Sequence, residues 1–146
     1  MSDSALALLN RCGDICRSHD YYSLLGNVRL ARARIHGYVK ADYLQADNLY
    51  DSAIYAYEKI ADTSAVLYAH FGYIYNLLQW YQNEKAIRYI HSVVPEFQRR
   101  GRKSGLATCY NYLAEAFYNI DRLDSAEYYT ERSLDMRLEV PDNPQA

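Results

Sequence analysis

YNYLAEAFYNIDRLDSAEYYTERSL, residues 110–134, is the stretch whose reading decides the fold. Its first half sets Tyr110, Leu113, Ala114, Phe117 and Ile120 at the spacing of a helix with one packed face. Its second half carries a second stripe, Ala126, Tyr129, Ser133 and Leu134. Between them lies Asp124-Ser125, and an Asp at a helix start can accept from the first free backbone N–H groups. Two helices joined by a short turn are expected.

The pattern recurs along the chain. The tripeptide Asp-Ser-Ala occurs at residues 3–5, 51–53 and 124–126. Helix stripes follow each copy: Ala5/Leu8/Leu9/Cys12/Gly13, then Ala53/Ala56/Tyr57/Ile60/Ala61. A fourth, Ala86/Tyr89/Ile90/Val93/Val94, lacks the Asp-Ser. Helices of a second kind precede the last three, with stripes Val39/Tyr43/Ala46 and Tyr68/Phe71/Gly72/Tyr75/Leu78 before the one at Tyr110. Small residues at Gly72 and Ala114 allow close helix approach. Pro95, inside one helix, should kink or split it, because it removes a backbone donor. Repetition of one helical hairpin predicts an all-α solenoid, an architecture that offers a surface.

Composition narrows the function. With 146 residues and half of them apolar, the chain is one domain in size and neither disordered nor membrane-like in make-up. A net charge of −2 gives no global pull toward nucleic acid or anionic lipid. The aromatics are mostly tyrosine, 17 of them, which suits helices with one face packed and the hydroxyl wet. No signal peptide is legible in Ser2-Asp3-Ser4, and the most apolar stretch, 68–81, is too short to span a bilayer. Three cysteines make no disulfide framework, so free thiols and the cytoplasm are the simpler reading. The periplasm is the alternative if the chain is a fragment lacking its signal.

The chain resembles the tetratricopeptide repeat family over most of residues 35–137. Tyr110, Leu113, Ala114, Phe117, Ala126 and Leu134 match its pattern, as do Tyr68, Phe71, Gly72, Tyr75, Ala86 and Ile90. Tyr43, Tyr50, Ala53 and Tyr57 fit a first repeat, although Lys40 stands where a small residue belongs. The helix-B alanines at 5, 53, 86 and 126 lie 48, 33 and 40 residues apart, against 34 in the family's usual unit. Longer units of this kind resemble those of bacterial regulators and sensor proteins. The resemblance implies a right-handed superhelix of about three and a half stacked antiparallel hairpins. Residues 1–18 form a lone helix B, about 22–61, 63–100 and 103–137 the three repeats, and 138–146 a flexible tail or the start of another. Both ends read as cut.

In that family, helix A lines an inner groove. Carried over, the groove takes Arg34, Tyr38, Ala41 and Gln45 from the first repeat and Val66, His70, Tyr73 and Leu77 from the second, with Asn76 beside them. Thr108, Tyr112, Glu115 and Asn119 come from the third. Tyrosines among Asn and Gln suit an extended peptide. The Lys/Arg/Asn carboxylate clamp of chaperone-tail adaptors is missing.

Other candidates carry less. The basic turn Arg99, Arg100, Arg102 and Lys103 could hold phosphate, but cations behind a helix C-terminus are favoured by its dipole. Cys12, Cys16 and His19 share a helix face, yet Cys12 continues the apolar stripe of Leu8 and Leu9, so no metal or other cofactor is expected. No nucleophile elbow, metalloprotease signature or phosphate loop appears, so no enzyme is expected. A non-enzymatic module that recognises a protein or peptide is the leading expectation, as the sensory or scaffolding part of a bacterial regulator. The alternatives are a homo-oligomer built through the solenoid ends and, less favoured, nucleic-acid contact at the basic turn.

Overall fold

Helix geometry alone accounts for the computed structural model, which describes residues 2–19 and 22–139, and the side chains of these except residues 2 and 16–19. Among the described residues seven α-helices follow one another: α1 (Ser2–His19), α2 (Tyr22–Arg34), α3 (Tyr43–Lys59), α4 (Thr63–Gln79), α5 (Asn83–Arg99), α6 (Lys103–Asn119) and α7 (Leu123–Leu138). A π-helical segment, Ile35–Val39, extends α2. No strand occurs among the described residues. Two compact units, Met1–Asn76 and Leu77–Ala146, divide inside α4.

From α3 onward the helices start at residues 43, 63, 83, 103 and 123, a pitch of 20 residues. Each turn turns on one residue with positive φ: Ala41 (52°), Ala61 (53°), Tyr81 (55°), Gly101 (61°) and Asp121 (58°). The last four turns share one hydrogen-bond pattern. Asp62, Gln82, Arg102 and Arg122 donate their N–H to the carbonyls of Tyr57, Leu77, Phe97 and Phe117, at 2.9–3.1 Å. The left-handed residue before each donates three back, which together closes the helix end as a Schellman motif. Only one of the five left-handed positions is glycine, so the other four hold a conformation that costs an L-residue roughly 1–2 kcal/mol.

The first turn differs. In the π segment Lys40 N–H reaches back to Ile35 O, and Asp42 N–H reaches His36 O at 2.8 Å, one residue further than in the other turns. Gly37 lies against the amide of Asn76, where a Cβ would stand 2.7 Å from Oδ1. Fully buried Asn76 donates from Nδ2 to Tyr43 O at 3.1 Å, fastening the start of α3.

Inside the first unit, α2 packs on α3 and α1 on α2. Ala46, Tyr50, Ala53 and Tyr57 make the buried stripe of α3. Tyr57 donates to Asn27 Oδ1 at 2.7 Å, and the Tyr50 ring sits over Gly72 of α4 and edge-on to Tyr73, centroids 6.3 Å apart. In the second unit α5 packs on α6 and α6 on α7. Ala86, Ile90, Val93 and Phe97 form the inner face of α5, and Leu106, Cys109, Leu113 and Ala116 that of α6. Ser133 of α7 donates to Ala107 O at 2.8 Å.

Three expectations change here. Val39/Tyr43/Ala46 is not one helical stripe, because the chain turns at residues 40–42, with Ala41 left-handed. Asp51-Ser52-Ala53 lies in the middle of α3, so Asp51 caps nothing; the cap is Asp42, accepting from Gln45 N–H at 3.3 Å. In α7 the cap position is Arg122, with no side-chain cap bond, and Asp124 sits inside the first turn. The equivalent alanines are therefore Ala46, Ala86 and Ala126, 40 residues apart, and the 48- and 33-residue intervals disappear. Pro95 does not split α5, which runs unbroken through it. Of the tail expected at 138–146, Leu138 still belongs to α7, and 140–146 lie outside the described residues.

Candidate functional site

In the first unit the side chains expected along one groove divide into two populations. Arg34 and Tyr38 reach the surface at the end of α2 and in the π segment. The Arg34 guanidinium donates to Tyr68 Oη at 2.6 Å and lies 5.0 Å from that ring's centroid. Tyr38 meets Tyr75 edge-on at 5.1 Å. Tyr68 and Tyr75 stand seven residues apart on α4, two turns along one face. Tyr38 and Tyr68 are each about half exposed. The result is two contacts along one face of α4, a guanidinium on Tyr68 and a second ring on Tyr75, with His70 half-buried on the same helix.

Tyr73 and Asn76 belong to the second population. Both are buried, as is Leu77, because their positions on α4 face inward rather than into a groove. Burial, with the negative charges of Asp47 and Asp51 added, holds the Tyr73 hydroxyl well above the ordinary phenol range. It remains a neutral packing group. His36 Nδ1 and Asp42 Oδ2 lie 3.3 Å apart beside the first turn, and Lys40 pairs with Asp3 of α1 at 2.9 Å. Val66 is half-buried, while Ala41 and Gln45 are exposed.

The second unit holds an open groove of about 500 Å³ between α6 and α7. Asn111, Glu115 and Tyr118 line it from α6, Leu123, Glu127 and Thr130 from α7, with Ala114 and Ala126 as its floor. Of the residues expected in the third repeat, Glu115 is here. Asn119 instead bonds Asn83 Oδ1 at 3.0 Å, while Tyr112 and Thr108 are half-buried elsewhere on α6. On the other side of α7, Tyr129 gathers Phe117 (5.5 Å, parallel), Tyr110 (6.0 Å), Tyr128 and His91, with Arg132 over Tyr110. Burial and the neighbouring phenols raise the Tyr129 hydroxyl, which fits packing.

At the basic turn two carboxylates pair with three of the cations. Glu96 accepts from Arg99 at 2.6 and 2.8 Å and from Arg100, and both guanidinium groups hold its carboxyl below the usual range. Lys103 pairs with Glu139 at 2.8 Å and lowers that carboxyl in turn. Arg102 remains exposed beside Gly101. Cys109 is fully buried, its thiol pushed up to about 12 by desolvation, and Cys12 is half-buried. The side chains of Cys16 and His19 lie outside the described residues. Among the described residues, no three His, Cys, Asp or Glu side chains are placed to hold a metal ion, and no helix is long and apolar enough to cross a membrane.

No family model, curated protein or solved structure matches the chain.

Sequence reasoning missed Tyr68, Tyr75 and Tyr118 as surface groups. The first two had been assigned to packing by their spacing. Tyrosine serves a core and a surface equally well, so spacing alone could not separate the two.

Proposed function

We propose that this chain is a non-enzymatic recognition module that binds a protein or peptide segment, built as a tetratricopeptide-like array of helical hairpins. The Arg34/Tyr68 and Tyr38/Tyr75 patch is the observation that carries this reading. Tyr and Arg are enriched at binding hot spots: Tyr offers wide contact area and a polar tip at small entropic cost, and Arg a planar fork of donors that stacks on rings. Here the rings are already held by one another and by Arg34, so little ordering remains for binding to supply. The regular 20-residue pitch supports an array of hairpins, whose right-handed superhelix is part of the proposal. A place in a bacterial regulatory protein rests on the family resemblance of its long units. Free thiols at Cys12 and Cys109 fit a reducing compartment, the cytoplasm.

The test is affinity capture with the wild type and with a Tyr38→Ala/Tyr68→Ala variant. Both positions are half exposed, so helicity by circular dichroism should be unchanged. A partner held by the wild type should be released at least about tenfold more readily by the variant. Equal retention of the same partner by both proteins contradicts the placement.

A further inference from the structure

We propose that the groove between α6 and α7 is the seat for α1 of a second copy of the chain, so that the protein associates head to tail. The seat is defined by the 20-residue pitch. Forty residues before Leu123, Ala126 and Thr130 stand Asn83, Ala86 and Ile90 of α5, all buried. A helix covers them: α6 packs along α5, with Asn119 bonded to Asn83 at one end and Gly105 under Phe97 at the other. Likewise Leu78 is 2% exposed, whereas Tyr118, forty residues on, is 66% exposed. Leu123 is 59% exposed and Leu134, on the same stripe of α7, 56%. The groove thus has the form of a helix seat, with large apolar side chains left in water along its rim.

One helix of the same chain presents a matching edge. On α1, Leu8 and Ile15 are 61% and 55% exposed, seven residues apart and so on one face, with Arg11 between them. The face of α1 that packs on α2 is a different one, carrying Leu9 and Gly13, the latter against Val28. The only charged side chains lining the groove are Glu115 and Glu127. Arg11 supplies the opposite sign at the centre of the apolar edge. A second copy therefore covers Leu123 and Tyr118 with Leu8 and Ile15, and sets Arg11 between two carboxylates. Each copy offers one seat and one occupant, so the contact is heterologous and association continues beyond a dimer unless a ring closes.

Sedimentation velocity over a wide concentration range tests this. The wild type should gain mass with concentration, stopping where a ring closes or growing on as an open chain. Leu8→Asp or Leu123→Asp, at exposed positions, should keep full helicity and weaken association at least about tenfold. An equimolar mixture of these two variants should form a 1:1 dimer that grows no further, because one good seat and one good occupant remain. Arg11→Glu should weaken association, and combining it with Glu115→Arg/Glu127→Arg should restore it. A wild type that stays monomeric at every concentration overturns the proposal. So does association unaffected by Leu8→Asp, which would mean pairing through another face, or a mixture of the two variants that remains monomeric.

Discussion

Replacing Gly72 by alanine puts a methyl group into a close contact between α4 and the Tyr50 ring of α3. A Cβ there would lie 2.5 Å from Tyr50 Cε1, 3.1 Å from Cζ and 3.2 Å from Oη. Ordinary carbon contact needs roughly 3.5 Å or more, so the ring or the helices must move apart by about 1 Å. The ring has nowhere to go, since Tyr50 is fully buried and rests edge-on against Tyr73. Overpacking of this kind costs about 1–3 kcal/mol. Against it stands the helix-propensity gain of Gly→Ala, about 1 kcal/mol. The net expectation is destabilisation of up to about 2 kcal/mol, read as a lowered urea midpoint at unchanged slope. In a Tyr50→Leu background the clash is gone and only the propensity gain remains. Gly72→Ala should then be neutral or stabilising, a coupling of about 1–3 kcal/mol between the two sites. The same effect of Gly72→Ala in both backgrounds would refute the packing argument.

Further outcomes follow from the turns, the ion pairs and the thiols. Tyr81, at φ 55° and 80% exposed, should gain about 0.5–1 kcal/mol on Tyr81→Gly, since relief of left-handed strain exceeds the added chain entropy; thermal melts would show it, and Gly101→Ala should lower the melt instead. Glu96 and Glu139 are held below their usual value of 4.5 by Arg99, Arg100 and Lys103, so their stabilisation is present above that pH and is lost as pH falls through the depressed values. Acid titration of stability should accordingly show a decline below about pH 4.5, shallower in Glu96→Gln/Glu139→Gln and in high salt. Cys109, with its thiol near 12, should resist iodoacetamide at pH 8 until denaturant opens the second unit, as mass spectrometry of the labelled peptide would report.

The helices were legible because each has one packed face, and Ala53/Ala56/Tyr57 or Ala86/Ile90/Val93 mark it at 3.6-residue spacing. Their pitch was not. Ala46 and Ala53 are seven residues apart on the same buried stripe of α3, so either satisfies a helix-B alanine, and the tripeptide at 51–53 favoured the wrong one. The true register is written in Tyr57, Leu77, Phe97 and Phe117, each followed four residues later by the left-handed residue of a turn. Glycine would have flagged those turns, but Ala61, Tyr81 and Asp121 occupy three of the four. The π segment escaped for another reason: a shift to bonds five residues back leaves no mark on a 3.6-residue pattern, and only Gly37, pressed on Asn76, hints at it. Of the expected groove, Arg34, Tyr38 and Glu115 lie where a ligand could touch them. Tyr73 and Asn76 are inside, because positions two apart on a helix face nearly opposite ways and no sequence feature distinguishes Tyr73 from Tyr75.

Site-specific photo-cross-linking tests the recognition reading most directly. A benzophenone side chain placed at Tyr38, and in a second protein at Tyr81 as an exposed control that is not one of the patch residues, would be irradiated in the source cells. A defined protein adduct at residue 38, missing at residue 81, is the predicted result. Adducts as frequent at 81 as at 38, or none at 38, would contradict a recognition surface built on the Arg34, Tyr38, Tyr68 and Tyr75 patch.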